Sequence, residues 1–448
     1  MMLSLRDAAM AMKGELAGDG SRTVARVTTD SRDVQPGDLF FALKGEHFDG
    51  HAFVEQALKD GAVAAVVSEP GPGARIVVQD TLQALGELAA SWRQRFANVR
   101  VIGVTGSNGK TTAKEMIAAI LATHAGAECV HATRGNLNNH IGLPLTLLGM
   151  REGCRFVVAE MGMNHFGEIA YLTRIARPDV ALITNAGQAH LEMLGSVEGV
   201  ARAKGEIYEG LAEQGCAVIN ADDAQSPLWK QLAGNHRQIA FGLQSAEVGA
   251  RELDAGEEGT RFVLTTPAGE ASVALPVPGV HNVRNALAAA AVAQALNVPL
   301  ATIAQALTGY RGVKGRLEAK RAFNGARLVD DTYNANPDSM KAAADVLSTA
   351  NGKKILVLGD MGEVGADAPQ RHAEIGAYAR EKGIDALYAV GKHMAEAVRT
   401  FGAGRHFATH EALAAALRAE LPANAVVLVK GSRFMQMERV VKLLQENN

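Results

Sequence analysis

The feature that most constrains this chain is an apolar strand that runs into a glycine-rich loop and then into a helix. The strand is predicted over Val99–Thr105 and the helix over Ala113–Leu121, with the segment Gly103-Val-Thr-Gly-Ser-Asn-Gly-Lys-Thr-Thr112 joining them. This order is typical of a phosphate-binding loop, because backbone N–H groups and the helix N-terminus attract anions. We therefore expect an α/β sheet with a phosphate site at its carboxyl edge.

The residues of the loop fit phosphate chemistry with one departure from the strict pattern. Gly106 and Gly109 allow the backbone to approach phosphate oxygens, Lys110 reaches the β- and γ-phosphates, and Thr111 holds magnesium. The strict pattern has a further glycine where this chain has Val104, so the loop is a variant. A chance Gly-Lys-Thr turn is the alternative, and the strand-loop-helix context favours phosphate binding.

Two later strands end in side chains suited to metal and phosphoryl chemistry. The apolar run Phe156–Ala159 leads into Glu160, and Val180–Thr184 is followed by His190. Ligands of open α/β sheets bind beyond the carboxyl ends of the strands, so Lys110, Glu160 and His190 are expected to converge and hold magnesium. The alternatives are that the glutamate starts a helix and that the histidine is solvated.

The pattern of apolar runs divides the chain into three regions and indicates the α/β class throughout. Residues 1–80 contain short strands and one helix, and are predicted to form a small α/β unit. Residues 81–312 alternate apolar strands with helices, which is typical of a parallel sheet covered on both faces. Residues 313–448 contain a second such series, after a glycine-containing boundary near Tyr310–Gly315. The strands predicted in the three regions are Val24–Thr29, Asp38–Leu43, Ala62–Val67 and Arg75–Val78; Phe156–Ala159, Val180–Thr184 and Ala217–Ile219; and Leu328–Val329, Lys354–Leu358, Ala386–Val390 and Val426–Val429.

Composition excludes several other classes. The formal net charge is −3, from 45 basic and 48 acidic residues, so a general basic field for nucleic acid is absent. Three cysteines, Cys129, Cys154 and Cys216, are too widely spaced for a zinc knuckle and fit a reducing cytosol. The uncharged stretch Asn285–Tyr310 is interrupted by polar residues and proline, which predicts buried helices rather than membrane insertion. No signal peptide is apparent, so a cytoplasmic location is expected.

Several separated motifs resemble those of the Mur ligase superfamily of ATP-dependent amide-forming enzymes. The resemblance rests first on Thr105-Gly-Ser-Asn-Gly-Lys-Thr-Thr112, Glu160, His190 and Asp330-Asp-Thr-Tyr-Asn-Ala-Asn-Pro-Asp-Ser339. Further segments match one member in the same order: Thr29-Asp-Ser-Arg32, Leu43-Lys-Gly-Glu46, Phe48-Asp-Gly-His51, Gly135-Asn-Leu-Asn-Asn139, Glu160-Met-Gly-Met-Asn164 and Leu358-Gly-Asp-Met-Gly-Glu363. The match spans the whole chain.

The resemblance implies three domains and a specific reaction. Residues 1–80 would bind a uridine nucleotide, 81–312 would be the central ATP-binding domain, and 313–448 a Rossmann-like domain for the amino substrate and part of ATP. ATP and Mg²⁺ are the implied cofactors, and a monomer is expected. The implied substrates are UDP-N-acetylmuramoyl-tripeptide and D-alanyl-D-alanine, joined through an acyl phosphate. The alternatives are a folate-polyglutamating ligase and a nucleotide-gated binding protein without ligase activity.

The family's functional residues carry over to positions in each region. Those implied for ATP are Thr105, Gly106, Ser107, Asn108, Gly109, Lys110, Thr111, Thr112, Asn282, Arg316, Asp331, Tyr333 and Asn336. Those implied for the uridine nucleotide are Ser31, Arg32, Lys44, Gly45, Glu46, Asp49 and His51; for the muramoyl peptide, Asn136, Asn138 and Asn139; and for the dipeptide, Asn334, Asp360, Ser432 and Arg433. The catalytic set is Lys110, Glu160, His190 and Lys204, and the metal ligands are Thr111, Glu160, His190 and a carbamoylated Lys204.

Four of these residues also have ordinary structural interpretations. Asn282 is a candidate helix cap, and Asn336 with its following proline is typical of a turn before a helix. Arg433 reads as a surface arginine. The residues alone predict that Lys204 is an ordinary exposed helix lysine, so its modification rests on the resemblance.

Overall fold

The structure is a computed structural model, and it describes residues 2–46, 48–188 and 191–445. In these residues the strands are β1 (Leu3–Ser4), β2 (Glu15–Ala17), β3 (Thr23–Val24), β4 (Arg26–Thr28), β5 (Asp38–Phe41), β6 (Ala64–Val67), β7 (Arg75–Val77), β8 (Arg100–Thr105), β9 (Val130–Ala132), β10 (Phe156–Glu160), β11 (Val180–Ile183), β12 (Cys216–Asn220), β13 (Arg237–Phe241), β14 (Gly249–Ala255), β15 (Thr260–Thr266), β16 (Gly269–Leu275), β17 (Glu318–Arg321), β18 (Arg327–Asp331), β19 (Lys353–Gly359), β20 (Ala386–Val390), β21 (Arg405–Phe407) and β22 (Ala425–Lys430).

The helices of the same residues are α1 (Leu5–Ala11), α2 (Val54–Lys59), α3 (Thr81–Gln94), α4 (Lys110–Ala125), α5 (Gly142–Leu148), α6 (Glu168–Ala176), α7 (Leu191–Leu194), α8 (Val197–Gly205), α9 (Ser226–Ala233), α10 (Val280–Ala295), α11 (Leu300–Thr308), α12 (Pro337–Ser348), α13 (Ala368–Glu381), α14 (Met394–Phe401), α15 (His410–Glu420) and α16 (Glu438–Gln445). Short 3-10 helices cover Gly50–Phe53, Ala127–Cys129, Glu206–Gly210, Gly365–Asp367 and Arg433–Met435.

The chain divides into two compact units. The first unit comprises Met1–Thr105, Ala125–Ala181 and Glu206–Ala217, and the second comprises Gly106–His124, Leu182–Gly205 and Val218–Asn448.

The N-terminal residues form a five-stranded sheet in the order β2-β7-β6-β5-β4. Strands β4 to β7 are parallel, and β2 pairs antiparallel with β7. Phe40, Val54 and Val67 belong to the core of this sheet, with α2 packed on it. The predicted small α/β unit is therefore confirmed, with β3 and β4 sharing the run predicted as one strand.

The central sheet has the order β13-β12-β11-β8-β10-β9. Strand β10 pairs in parallel with β8 and with β9, and Glu160 is level with Val104. Every residue of β10, β11 and β12 is buried, as expected for parallel strands covered on both faces. The parallel sheet that was predicted from the apolar runs is confirmed.

Strands β14, β15 and β16 form a separate antiparallel sheet that the sequence pattern did not reveal. Most of β14 is exposed, so its residues carry little apolar alternation. Helices α10 and α11 follow, and α10 is buried along most of its length, which confirms buried helices in the uncharged stretch. Across the described ranges, no helix is both long enough and apolar enough to span a bilayer.

The C-terminal sheet has the order β17-β18-β22-β19-β20-β21, parallel except for β17. Helices α12, α13 and α14 pack on one face against Leu356 and Leu428, and α15 and α16 pack on the other against Val357 and Val427. The helices that follow β19 and β22, two neighbouring strands, thus lie on opposite faces. Such a change of direction opens a crevice at the carboxyl edge, where ligands of doubly wound sheets bind.

Candidate active site

The glycine-rich loop connects β8 to α4 and requires glycine at two positions. Gly106 and Gly109 have φ angles of +152° and +80°, which side chains other than glycine rarely adopt. A Cβ atom at Gly106 would overlap the hydroxyl of Thr184, and one at Gly109 would overlap the side-chain oxygen of Asn285. The loop is therefore packed closely against the end of β11 and against α10.

Asn108 holds the loop in place through its backbone and its side chain. Its N–H donates to Asn185 Oδ1 at 2.9 Å, and its carbonyl accepts from Thr184 Oγ1 at 2.6 Å. Its Oδ1 accepts from Asn336 Nδ2 at 2.8 Å. Asn336 also caps α12 in a reciprocal pair with Ser339, so the helix-start interpretation is confirmed, and its ATP-binding role stays a prediction.

Lys110 and Thr111 begin α4. Lys110 Nζ donates to the carbonyl of Gly106 at 2.6 Å and lies 3.3 Å from that of Ser107, so its ammonium group lies over its own loop. Thr111 is buried, and its hydroxyl accepts from Arg316 Nη2 at 2.9 Å. The polar ends of both side chains thus lie at the junction of the loop and α4.

Arg316 joins the loop to the C-terminal residues. Its guanidinium carbon lies 4.3 Å from the ring centre of Tyr333, a distance that permits a cation–π interaction. Its Nε is buried without a hydrogen-bond partner among the described residues. The structure thus brings together three of the residues expected for ATP: Thr111, Arg316 and Tyr333.

Lys204 is buried, with 2% of its surface exposed, so the expectation of an exposed helix lysine is wrong. Burial lowers the pKa of Lys204 well below its usual range, and the positive charge of Lys110 lowers it further. The local run Ala201-Arg-Ala-Lys204 does not reveal this, because the buried face of a short polar helix is set by its packing. A neutral amine in this position fits the carbamoylation that the resemblance implies.

Glu160 ends β10 in a buried polar cluster of the first unit. It is 3% exposed, and its Oε1 accepts from Asn138 Nδ2 at 2.8 Å. Its backbone N–H donates to Thr133 Oγ1 at 2.9 Å. Asn139 instead accepts from the backbone at the start of α5, and Asn136 is exposed. Of the asparagines expected for the muramoyl peptide, Asn138 is thus the one that contacts Glu160.

The predicted convergence of Lys110, Glu160 and His190 stays a prediction. His190 lies outside the described residues, and Lys110 and Glu160 belong to different compact units. In the part of the chain that the structure describes, no group of three or more His, Cys, Asp or Glu side chains is arranged as a metal site. The oxygen atoms of Thr111 and Glu160 are nevertheless of the type that Mg²⁺ prefers.

The carboxyl edge of β18 and β22 carries a buried ion pair. Lys430 is 3% exposed, and its Nζ contacts Asp331 Oδ2 at 2.7 Å and the carbonyl of Asn334 at 2.9 Å. Asp331 also accepts from the N–H of Leu317 at 3.2 Å. Burial lowers the pKa of the nearby His281 to about 4. The negative charge of Asp331 opposes this shift, and the positive charge of Lys430 adds to it. Asn282 lies within the first turn of α10 rather than at its cap, which is Gly279.

The residues expected for the dipeptide differ in their burial and in their hydrogen-bond partners. Asp360 is 6% exposed, and its carboxylate accepts from the N–H groups of His393 and Met394. Ser432 is buried and bonded to Gly362 and Ala335. Arg433 is exposed and paired with Glu438 at 2.9 Å, as its surface interpretation predicts.

The residues expected for the uridine nucleotide lie on exposed turns of the first unit. Arg32 pairs with Asp30 at 2.7 Å, and hydrogen bonds from Arg32 lower the pKa of Asp30 to about 2. Ser31 is half-buried, and Lys44, Gly45 and Glu46 are exposed. The backbones of Lys44 and Asp49 form an isolated antiparallel β-bridge. His51 lies between Asp49, 2.6 Å from Nδ1, and Ser68, whose N–H is 3.0 Å from Nε2.

Comparison with known proteins supports the resemblance across all three regions. The family descriptions that match are "Mur ligase family, catalytic domain" over residues 23–93, "Mur ligase middle domain" over 104–293 and "Mur ligase, glutamate ligase domain" over 315–433. The UDP-N-acetylmuramoyl-tripeptide–D-alanyl-D-alanine ligase of Escherichia coli K12 is 43% identical over 97% of each chain. The chain belongs to the Mur ligase family.

Further Mur ligases are similar over nearly the whole chain, at lower identity. The ligase of the same name from Bacillus subtilis is 40% identical, over 99% of this chain and 98% of its own. The crystal structure of MurF from Acinetobacter baumannii superposes with a TM-score of 0.94 at 39% identity, over 99% of both chains. MurF from Thermotoga maritima, solved in complex with ADP, has a TM-score of 0.83 at 29% identity, over 94% of this chain and 97% of its own. The three-domain α/β expectation is therefore confirmed.

Sequence reasoning did not single out several polar residues that contact the expected site residues. Thr184 and Asn185 support the loop through Asn108, and Asn285 packs on Gly109. Lys430 is a buried partner of the Asp331 carboxylate, and Thr133 is a buried acceptor for the backbone N–H of Glu160. Lys430 carries a usable signal, because it is a charged residue that ends an apolar strand. Asn285 carries none, because an asparagine in an alanine-rich helix does not show what it faces.

Proposed function

We propose that this chain is an ATP-dependent ligase that joins D-alanyl-D-alanine to UDP-N-acetylmuramoyl-tripeptide. The products are the UDP-muramoyl-pentapeptide precursor of peptidoglycan, ADP and phosphate. The observation that carries this function is the near full-length similarity to ligases of that name, 43% identical to the Escherichia coli enzyme. Because ATP and a UDP-linked substrate are consumed together, we place the reaction in the cytoplasm, and we expect a monomer.

The first step activates a carboxyl group. The terminal carboxylate of the tripeptide attacks the γ-phosphate of ATP, which gives an acyl phosphate and ADP. Two anions must meet in this step, so the repulsion between them has to be screened. Lys110 supplies a positive charge at the loop, and the N–H groups of the loop and of the first turn of α4 supply partial charges. Arg316 adds a second positive charge, a guanidinium group, beside Thr111.

We propose that magnesium is held by Thr111, Glu160, His190 and a carbamoylated Lys204. When bound, Mg²⁺ neutralises phosphate charge and polarises the transferring phosphoryl group. Two observations support this set: the buried Glu160 carboxylate, held by Asn138, and the buried Lys204, whose lowered pKa favours the neutral amine. A neutral lysine amine is the form that adds carbon dioxide to become a carbamate, which offers oxygen ligands.

The second step needs little help from a base. The amino group of the dipeptide has a pKa near ~8, so about a tenth of it is neutral at pH 7. It attacks the acyl carbon, a tetrahedral intermediate forms, and phosphate leaves. Holding amine and acyl phosphate in line contributes on the order of 7–11 kcal/mol, so positioning dominates this step. The contacts of Asn336 with Asn108 and of Arg316 with Thr111 join the nucleotide loop to the C-terminal residues that we assign to the amino substrate.

Substrate binding is divided among the three regions in this proposal. Residues 1–80 bind the uridine nucleotide through Ser31, Arg32 and the segments that contain Lys44 and His51. Residues 81–312 bind ATP and the muramoyl peptide, and residues 313–448 bind the dipeptide. In the last region the Asp331–Lys430 pair borders the crevice beside Asn334. Asn282 and Asn285 complete the ATP-binding surface from α10.

The alternatives are not favoured. A folylpolyglutamate synthase of Mycobacterium tuberculosis has a TM-score of 0.66 but only 16% identity, which indicates a shared fold alone. A nucleotide-gated binding protein would hydrolyse ATP without regard to the amino substrate.

A phosphate-release assay in which each substrate is omitted in turn tests the function. The ligase requires ATP, UDP-N-acetylmuramoyl-tripeptide and D-alanyl-D-alanine together, and the product gains the mass of the dipeptide. Phosphate release that does not depend on D-alanyl-D-alanine would overturn the proposal. Turnover with a folate and glutamate in place of these substrates would support the folate ligase instead.

A further inference from the structure

The loop Gly359–Glu363 leaves the carboxyl end of β19, next to the end of β22. Three of its backbone groups bind residues from elsewhere. The N–H of Met361 donates to His372 at 2.9 Å, the N–H of Gly362 donates to Ser432 Oγ at 2.7 Å, and the carbonyl of Asp360 accepts from the N–H of Ser432 at 3.1 Å. The loop is thus held at the crevice of the C-terminal sheet from two sides.

His372 lies on α13 and is completely buried. Its Nε2 accepts from the N–H of Met361, and its Nδ1 lies 2.6 Å from the carbonyl of Ala368. A carbonyl oxygen only accepts, so Nδ1 carries the proton and the ring is the neutral Nδ1–H tautomer. Burial lowers the pKa of His372 in agreement with this form, although Asp360 acts in the opposite direction. Both ring nitrogens are therefore used, and one of them orients the loop.

The same loop carries the side chain of Asp360 to the start of α14. Its carboxylate accepts from the N–H of Met394 at 2.9 Å and from that of His393 at 3.1 Å. Ser432 in turn donates from Oγ to the carbonyl of Ala335 at 3.0 Å. Ala335 lies between Asn334 and Asn336, so the loop is linked by hydrogen bonds to the segment assigned to ATP and the dipeptide.

We propose that His372 is a positioning residue for the amino substrate, because it fixes the loop Gly359–Glu363 through the N–H of Met361. This inference rests on the proposed function, since the crevice is assigned to D-alanyl-D-alanine there. His372 touches no substrate in this scheme. It acts through Gly362 and Ser432, whose places depend on the orientation of the Met361 peptide.

A purely structural role is the competing explanation, and the surroundings of α13 argue against it. Ile375 and Ala379 on the same helix already pack in the apolar core with Leu356 and Leu358. A leucine at position 372 would fill a similar volume in that core. What a leucine cannot replace is the acceptor for Met361 and the donor to Ala368. The distinguishing property of histidine here is therefore its pair of directed hydrogen bonds.

The test compares His372→Leu, His372→Gln and the wild type in steady-state ligation with each substrate varied separately. In His372→Leu the KM for D-alanyl-D-alanine should rise about tenfold, the change for one lost directed hydrogen bond of about 1.4 kcal/mol. The KM for UDP-N-acetylmuramoyl-tripeptide and the Kd for ADP should stay within about twofold, because the Asn336–Asn108 contact and the loop of residues 105–112 are not altered. His372→Gln keeps one acceptor and one donor and should recover part of the loss. His236→Leu, at a half-buried histidine between α9 and β13, is the matched control and should change none of these constants.

Equal changes in all three constants, or no change in the KM for the dipeptide, would refute the positioning role. If His372→Leu does not fold, His372→Gln decides alone, and the amide hydrogen exchange of Met361 is compared with that of Leu358 in the strand. Faster exchange at Met361 alone supports the role, and unchanged exchange together with an unchanged KM rejects it. A wild-type protein that forms no bond between the two substrates would remove the proposed function, which is a different outcome from a negative result with the variants.

Discussion

Asn336 performs two tasks that substitution can separate. Its Oδ1 caps α12 by accepting from the N–H of Ser339 at 2.9 Å, and its Nδ2 donates to Asn108 Oδ1 at 2.8 Å. In Asn336→Asp the cap acceptor remains, because aspartate is as good a helix cap as asparagine. The donor to Asn108 is lost, and a carboxylate oxygen then faces the oxygen of Asn108. In Asn336→Ala both tasks are lost.

The magnitudes follow from the two contacts. Loss of the cap costs about 1 kcal/mol, so Asn336→Ala should lower the melting temperature of the C-terminal region by a few degrees, whereas Asn336→Asp should leave it near the wild-type value. Loss of the contact to Asn108, with two oxygens left facing, costs about 1–2 kcal/mol in the arrangement of the nucleotide loop. We therefore expect ADP to bind roughly 5–30-fold more weakly in Asn336→Asp, and less weakly than that in Asn336→Ala, which loses the donor but places no oxygen opposite Asn108.

Titration calorimetry with ADP and thermal melting measure the two effects on the same samples. Thr409→Ala is the matched control, because Thr409 caps α15 by accepting from the N–H of Ala412 at 3.1 Å and is not among the residues that contact the loop. It should lower the melting temperature and leave the affinity for ADP unchanged. The reasoning fails if Asn336→Asp binds ADP as the wild type does, or if it loses as much thermal stability as Asn336→Ala.

Three further changes probe other parts of the site. Lys110→Ala removes the positive charge at the loop, so it should reduce phosphate release by about 10²–10³-fold or more while the protein stays folded. Full activity would reject the phosphate-loop assignment. Lys204→Arg cannot form a carbamate, so it should lose at least about 10²-fold in turnover. Intact mass spectrometry with and without bicarbonate should show a carboxyl adduct on the wild type alone. A fully active Lys204→Arg would contradict the metal-ligand role. Folding lowers the pKa of His281 from 6.5 to about 4. Between these two pH values the unfolded chain binds a proton at His281 and the folded chain does not. The free energy of unfolding should therefore drop as the pH falls through this window, by up to ~1.4 kcal/mol per pH unit. Urea denaturation at several pH values should show a smaller pH slope for His281→Leu than for the wild type, and equal slopes would refute this origin.

Much of the fold was predictable because parallel strands buried on both faces are short, uninterrupted apolar runs. The runs predicted over Val99–Thr105, Phe156–Ala159 and Val426–Val429 became β8, β10 and β22, and each bound differs by at most one residue. Strand β14 was not predicted, because most of its side chains are exposed and its pairing with β15 depends on a partner later in the chain. The order of strands in the C-terminal sheet could not be predicted from local sequence either, because β22 lies between two strands that precede it in the chain.

The loop residues of the site were predictable for a similar reason. The backbone of the loop requires glycine at positions 106 and 109, and the pattern of these glycines with Lys110 carries the signal in the sequence itself. Lys204 shows the limit of such reasoning. Its neighbours include Arg202 and Glu206, which indicate a solvated helix, yet the packing around α8 buries the amine. Burial of a single charged side chain depends on contacts that no local pattern contains.

Four of the polar side chains expected to contact substrates already bond to nearby backbone groups, and this bears on specificity. Asp49, His51, Asp360 and Ser432 accept hydrogen bonds from nearby backbone N–H groups, so part of their bonding capacity shapes the loops that carry them. For the buried Asp360 and Ser432, breaking these bonds to reach a ligand would leave N–H groups away from solvent unsatisfied, at about 1–3 kcal/mol each. A substrate would therefore meet the backbone and the outer atoms of a preformed loop at lower cost than it would displace these side chains. Substitutions such as Asp360→Ala should then alter the conformation of the loop before they alter a direct contact, and hydrogen exchange at Met394 in the free protein should report that change without any substrate present.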